Sequence, residues 1–294
     1  MQQTEALVVA TYSRRMRLQL ASGDYVDARI KGKKLKPVCG DRVLAQPIEN
    51  ESDWLITEIL DRSNELNRPN FRGDVEILAA NIELLVVVAA ASPDPDWFVV
   101  DRYLCAAENM NIQSAVLFNK TDISSADSNL DEYRIIGYET VQCSAETGEN
   151  VDQVASLLRD QTAIIVGQSG VGKSSIINSL LGEKALRTAE ISSKTREGRH
   201  TTVNSEMLSL PGGGTVIDSP GVRDYAPALQ DSGQVLRGFR EIDAAGQGCR
   251  FANCRHRREP GCAVKAAVDG ATISGRRYES YKRLLASTEK LDRQ

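Results

Sequence analysis

Long apolar runs are missing from this 294-residue sequence. The longest, LLVVVAAA from Leu84 to Ala91, falls far short of the ~20 residues that span a bilayer. No membrane partner is expected. The opening MQQTEALVVATYSRR has no basic stretch leading into an apolar core, so a signal peptide is not expected either. Histidine is scarce, with two in the chain. The six cysteines lack the spread of a disulfide framework. Cys249, Cys254 and Cys262 crowd into fourteen residues, while Cys39, Cys105 and Cys143 stand alone and read as small buried side chains. Such clustering points to a metal site in a reducing compartment, and the expected location is the cytoplasm.

What is present is ordinary in bulk and uneven in detail. Hydrophobic content of 41% and charged content of 26% exclude wholesale disorder. The length allows about two domains of ~150 residues, or three if two are small. A net charge of −4 argues, taken alone, against a nucleic-acid partner. Residues 237–294, however, hold 13 Lys/Arg against 7 Asp/Glu, a local balance of +6, and ARIKGKKLK from Ala28 to Lys36 has five basic residues and no acid. Two basic ends flank an acidic centre, which is a mild nucleic-acid signal; solvated surface faces are the competing reading.

Residues 1–66 show short β-like runs, ALVVATYS, MRLQLAS, DYVDARI, DRVLAQPI and DWLITEIL, separated by turn signals. A small barrel follows from that spacing, and an oligonucleotide-binding (OB) barrel with a basic loop at Lys31 to Lys36 fits. Near Asn67 the pattern changes. ILAANIELLVVVAA reads as a nearly continuous buried parallel strand. Helix-like and strand-like runs then alternate through FVVDRYLCAAENM, SAVLFNK, YETVQCSA, VDQVASLLRD, TAIIVG, KSSIINSLLG and TVIDSPG. This alternation predicts a doubly wound α/β domain over 67–229. The segment 230–294 is helical, basic and cysteine-bearing.

The motif from Gly167 through Gln168, Ser169, Gly170, Val171, Gly172 and Lys173 to Ser174 fits GxxxxGK[ST] and lies between an apolar strand and a helix opened by Ser175. Glycines let successive N–H groups converge on phosphate, and the helix N-terminus adds positive potential. Lys173 is assigned to the β- and γ-phosphates and Ser174 to magnesium. Asn119-Lys120-Thr121-Asp122 ends a predicted strand, where open α/β sheets bind ligands. The Asp122 carboxylate can accept from guanine N1–H and N2–H₂, which adenine does not offer. Asn119 would brace the loop or reach N7, and the Lys120 stem would cover the base. Ser144-Ala145 can offer a backbone N–H to guanine O6. Asp218 and Gly221 form DxxG, meeting magnesium through water and the γ-phosphate. Between the phosphate loop and DxxG, SSKTREGRHTTVN reads as a switch loop, in which Thr202, favoured slightly over Thr201, completes the magnesium set with Ser174 and Asp218. The residue after DxxG is Val222, which cannot orient water, so His200 is the candidate for that role. Cys249, Cys254, His256 and Cys262 supply three thiolates and an imidazole, a complete tetrahedral set for a structural zinc, interleaved with Arg250, Arg255, Arg257 and Arg258. Phosphate contact with RNA is plausible there.

With NKTD, CSAETG, GQSGVGKSS, GRHTT, DSPGV and the Cys–Cys–His–Cys cluster in that order, the sequence resembles the RsgA (YjeQ) family of circularly permuted GTPases. GDRV at Gly40 to Val43 and ILDRSNELNRP fit the same family. The resemblance spans essentially the whole chain. It implies three parts: an OB barrel, a permuted GTPase domain and a zinc domain. It implies a GTP/GDP-binding hydrolase that needs Mg²⁺, carries one structural Zn²⁺ and acts as a monomer. Its partner would be the small ribosomal subunit with its rRNA, which stimulates hydrolysis late in subunit maturation. It assigns the catalytic role to His200. Potassium activation, linked in some permuted GTPases to an Asn in the phosphate loop, is not implied, since that position is Gly170. The alternative is a nucleotide-switched RNA-binding module with negligible enzymatic role.

Overall fold

The computed structural model of the chain describes residues 3–13, 15–30, 32, 34–69, 75–125, 128–182, 203–219, 229 and 231–291. Five strands come first: β1 (Thr4–Tyr12), β2 (Met16–Leu20), β3 (Tyr25–Ile30), β4 (Arg42–Pro47) and β5 (Trp54–Ile59). Their pairing runs β1–β2–β3–β5–β4 and returns to β1, which closes a barrel. Alternation explains it: in β2, Met16 and Leu18 are buried while Arg17 is not. The inward set, with Val8, Ala28, Val43, Ala45 and Ile56, fills the barrel. Buried Asp41 accepts from Arg62 Nε at 2.7 Å and Nη2 at 2.9 Å, pinning the exit of the barrel to its wall.

The run ILAANIELLVVVAA is not one strand. It divides at Asn81, with φ 54°, into β7 (Val75–Ala80), which makes an antiparallel hairpin with β6 (Glu65–Pro69), and β8 (Leu84–Ala90). The left-handed turn lets Asn81 donate from Nδ2 to the Gly40 carbonyl at 2.8 Å. β8 is buried on both faces, as its composition requires. Leu85, Val87 and Ala89 enter one core and Leu84, Val86, Val88 and Ala90 the other.

The α/β sheet contains β8, β9 (Gln113–Asn119), β10 (Glu139–Gln142), β11 (Thr162–Gly167), β12 (Val203–Ser209) and β13 (Thr215–Asp218), in the order β10-β9-β8-β11-β13-β12. All neighbours are parallel except β12, which runs antiparallel to β13. Helix α1 (Trp97–Met110) packs on one core; α3 (Val151–Leu158) and α4 (173–182) pack on the other. Helix α2 (Ser128–Ile136) and strand β12 have no counterpart in the sequence reading, because both lie in polar stretches of weak periodicity. β12 also pairs with β1 (Ala10↔Glu206), so one hydrogen-bonded sheet of eleven strands runs from the α/β domain into the barrel.

The C-terminal helices are α5 (Ser232–Arg237), α6 (Arg240–Gly246), α7 (Ala263–Asp269) and α8 (Gly275–Leu291). Their apolar core, with Val235, Phe239, Ile242, Tyr281 and Leu285, takes in Cys105 from α1. A Cβ at Gly238 would stand 2.0 Å from Cys105 Sγ, so only glycine allows that approach. Beside it lies the most deeply buried charge cluster. Arg277 of α8, with no exposed side-chain surface, donates to Asp101 of α1 at 2.7 Å and to both oxygens of Glu241 of α6 at 2.8 and 2.9 Å. Its guanidinium lies 4.6 Å from the Phe239 ring centroid. Arg276 bonds Asp101 and Glu132 of α2. No helix among the described residues is long and apolar enough to cross a membrane.

Removing the guanidinium leaves Asp101 and Glu241 as carboxylates with one partner fewer in a dry site. Arg277→Ala is expected to lower stability by on the order of 3–5 kcal/mol, read from the urea midpoint. A loss below about 1 kcal/mol would show that water reaches the cluster.

Candidate active site and metal centre

The NKTD segment and the phosphate loop meet at the C-terminal ends of β9 and β11. Asn119, last residue of β9 and 1% exposed, donates from Nδ2 to the Val171 carbonyl at 2.9 Å and accepts at Oδ1 from Ala145 N–H at 3.1 Å. One amide therefore joins NKTD, the Ser144-Ala145 turn and the phosphate loop. These contacts brace the loop through Oδ1 and one Nδ2 hydrogen, a geometry compatible with the second Nδ2 hydrogen donating to guanine N7. A Cβ at Gly172 would lie 2.4 Å from that Nδ2, which is why the loop has glycine there. Lys120 follows with φ 64°, an uncommon value for a side-chain-bearing residue. Its Nζ donates to the carbonyls of Ser92 at 2.6 Å and Gly170 at 2.7 Å, so its stem crosses the mouth of the loop.

Asp122 is exposed at that mouth and accepts from Ser144 Oγ, whose own oxygen accepts from Thr147 N–H at 3.2 Å. Thr121 Oγ1 donates to Glu149 at 2.8 Å. The carboxylate is oriented through one oxygen and presents the rest of its acceptor capacity outward. In the phosphate loop, Gly167, Gly170 and Gly172 all have positive φ, turning N–H groups inward ahead of α4. Lys173 Nζ donates to the carbonyls of Gly167 and Gln168 at 2.7 Å each, over the loop it serves. Ser174 and Ser175 are in the first turn of α4. Asp218 ends β13, beside β11, with Ser219 Oγ accepting from Ser205 at 2.9 Å. These backbone N–H groups, the ammonium and the short oxygen ligands fit a nucleoside triphosphate with magnesium. His200, Thr201, Thr202, Gly221 and Val222 lie outside the described residues.

Ser92 and Asp96, against Lys120 and Gln168, are contacts that sequence reading missed. Gln168 Oε1 accepts from Asp96 N–H, at the start of α1, at 3.3 Å. Asp96 caps that helix, accepting from the N–H groups of Phe98 and Val99 at 3.1 and 3.3 Å. The signal was the SPDPD turn at the C-terminal end of β8, the edge where such sheets bind ligands.

In the C-terminal region the ligand atoms of Cys249, Cys254, His256 and Cys262 all lie within 4.8 Å of one another. Cys249 Sγ is 3.4 Å from His256 Nδ1 and 3.9 Å from Cys262 Sγ; Cys262 Sγ is 3.5 Å from the same Nδ1. Ligands about 2.3 Å from a tetrahedral ion stand roughly 3.8 Å apart, so three thiols and Nδ1 fit zinc. The other ring nitrogen, Nε2, is buried and has no hydrogen-bond partner among the described residues. Glu259 holds the loop around these ligands, accepting from the N–H groups of Arg255, Arg257 and Arg258 at 2.8–2.9 Å. Partial burial pushes that carboxyl up, but these donors and its own N–H together hold it down at about 2. Arg255 and Arg257 pair with Glu289 at 2.8 and 3.0 Å, with the Arg255 side chain still 59% exposed. The isolated cysteines behave as read. Burial pushes the thiols of Cys39 and Cys105 up to about 12 and that of Cys143 up to about 11.

Fold and site together define a P-loop GTPase whose sheet is intact while its strands are cyclically reordered along the chain. Residues 59–227 match the family model described as RsgA GTPase, and the chain belongs to that family. Two curated proteins named Small ribosomal subunit biogenesis GTPase RsgA are similar to it. That of Actinobacillus succinogenes is 36% identical over 97% of this chain and 84% of its own length. That of Marinobacter nauticus is 38% identical over 95% and 83%. Among solved structures, YjeQ from Thermotoga maritima aligns over 98% of this chain and 99% of its own with a TM-score of 0.76 and 26% identity. YloQ, titled a circularly permuted GTPase, shares the fold at TM-score 0.73 over 100% and 96%, with 24% identity.

Asp122→Asn keeps an acceptor for N1–H but exchanges the other acceptor for a donor, which opposes the guanine 2-amino group and suits the carbonyl that xanthine carries there. The expected result is loss of GTP binding and gain of xanthosine triphosphate binding in a competition assay; retained GTP preference would contradict the role of Asp122. Cys254→Ser should release the metal and unfold mainly the C-terminal region. Metal analysis of the purified wild-type protein should find one zinc per chain, and a result of none would refute the site.

Proposed function

We propose that the chain hydrolyses GTP on the small ribosomal subunit, late in its maturation, and that this subunit stimulates the reaction. The single observation that carries the proposal is the Asn119 side chain, which ties the guanine-reading segment to the phosphate loop at 2.9 Å and so makes one nucleotide pocket from motifs in reversed order. The names of the curated relatives supply the setting.

In this reading Asp122 accepts from the guanine edge and Ala145 N–H faces O6. The loop from Gly167 to Ser175 holds the phosphates, with Lys173 at the β- and γ-oxygens. Ser174, Thr202 and Asp218 would hold magnesium, which when bound offsets charge developing between those phosphates. Gly221 N–H faces the γ-phosphate. His200 orients the attacking water, in place of the Gln that Val222 does not supply. The metal cage is structural, because four protein ligands leave no open position. Barrel and zinc region contact rRNA, and the nucleotide state is coupled to release from the subunit. Division at 1–66, 67–229 and 230–294, action as a monomer and a cytoplasmic location belong to the same proposal.

Turnover measured with and without purified small subunits tests it. Stimulation is expected for the wild type. His200→Ala is expected to keep GTP affinity and to lose about 10²-fold or more of the stimulated rate, the usual worth of a positioned proton-transfer group. Unchanged stimulated turnover would remove His200 from the mechanism. Absence of any stimulation would remove the ribosomal reading.

A further inference from the structure

The zinc knuckle, residues 249–262, carries four arginines and one acid. Its balance is +3, and still +2 once three thiolates and a divalent ion are included. The one acid, Glu259, points its carboxylate at backbone N–H groups of the loop, so its charge is turned inward. Arg255 and Arg257 pair with Glu289, the first of them still largely exposed. Arg250 and Arg258 remain exposed, with no ion pair among the described residues.

Between the first two metal ligands stands Phe251, 40% exposed. A phenyl ring left in water at the centre of a cationic loop contributes little to folding. The Arg250 guanidinium lies 5.5 Å from its centroid, within cation–π range. The backbone beneath the ring is fixed. Cys254 N–H donates to the Phe251 carbonyl at 3.1 Å, and Arg250 N–H to that of Gly261 at 3.5 Å, while Cys249 and Cys254 on either side belong to the cluster that fits a metal. An aromatic face already ordered, with a planar cation beside it and positive charge around it, matches the requirements of an unstacked nucleobase.

We propose that Phe251 and Arg250 form a stacking platform for an unpaired base of RNA, with Arg258 contacting the adjoining phosphate. The platform rests on the rRNA reading above and adds to it the kind of RNA: a single-stranded or bulged nucleotide. A neighbouring protein is the other partner class such a ring could serve. The outward positive charge favours the polyanion.

The test uses the full zinc-loaded chain with three probes: purified small subunits, a single-stranded oligouridine, and an abasic oligonucleotide of equal length. Phe251→Ala is expected to lower affinity for subunits and for oligouridine by about 5- to 100-fold, the range for loss of one base–aromatic stack. Affinity for the abasic strand and the salt dependence should stay as in the wild type. Phe251→Trp should restore binding, and zinc content should be unchanged in both variants. Arg258→Gln should instead weaken binding to all three probes and reduce the salt slope by about one. If Phe251→Ala binds oligouridine within twofold of the wild type, the platform is refuted. If that variant loses subunit binding alone, the ring meets a protein and the proposal also fails. If the wild type binds neither subunits nor rRNA, the parent reading fails first.

Discussion

The charge cluster around Arg277 is the constraint from which the arrangement of the C-terminal region follows. A guanidinium without solvent must have its donors met on several sides, and no single element can do so. Asp101 from α1 and Glu241 from α6 divide the work, with the Phe239 and Tyr133 rings lying 4.6 and 5.5 Å from the cation. Burial disfavours the charge, but the two carboxylates hold Arg277 well above its ordinary pKa. Such a cluster adds little net stability over an apolar one, yet it tolerates only one docking of the helices. Asp101 is five residues beyond Asp96, whose N–H is bonded by Gln168 of the phosphate loop. The helix that anchors the cysteine-bearing C-terminal region thus begins at the nucleotide pocket.

The permuted order of motifs leaves the pocket whole for a simple reason. Parallel strands position ligands by their C-terminal ends, and neighbours in the sheet need not be neighbours in the chain. β9 and β11 lie on either side of β8, and Asn119 bridges their ends. Helix α3 leads into β11 through three residues, joining what would otherwise be two termini. The barrel, in turn, is fastened by β1, which pairs with β4 at one end and with β12 at the other. β12 follows the segment that carries His200 and Thr202. The two ends of the chain are therefore attached to opposite sides of the same nucleotide-binding core.

Much of this was legible beforehand because the determinants are local. Glycine spacing in GQSGVGKS, the continuous apolar run of β8 and the cysteine cluster each have one physical solution. The misreadings have causes as specific. One apolar run became two strands because Asn81 takes a left-handed turn that spends its side chain on a barrel carbonyl. α2 and β12 are polar, and their order comes from packing and pairing rather than from periodicity. The arginines of the knuckle looked alike in the sequence, but two of the four face Glu289, thirty residues away.

The sequence by itself determined which chemistry the chain can hold: an NKxD carboxylate, a phosphate loop, a cluster of three cysteines and a histidine, and no glutamine after DxxG. These depend on residue type and short spacing, which backbone geometry converts directly into a site. Only the tertiary structure decided that Asn119 joins the phosphate loop to the Ser144-Ala145 turn, which arginines of the knuckle pair with Glu289, and that barrel and α/β domain share one sheet. Each of those outcomes rests on partners distant in the chain, where the cost of burying an unpaired polar group, not local propensity, selects the contact.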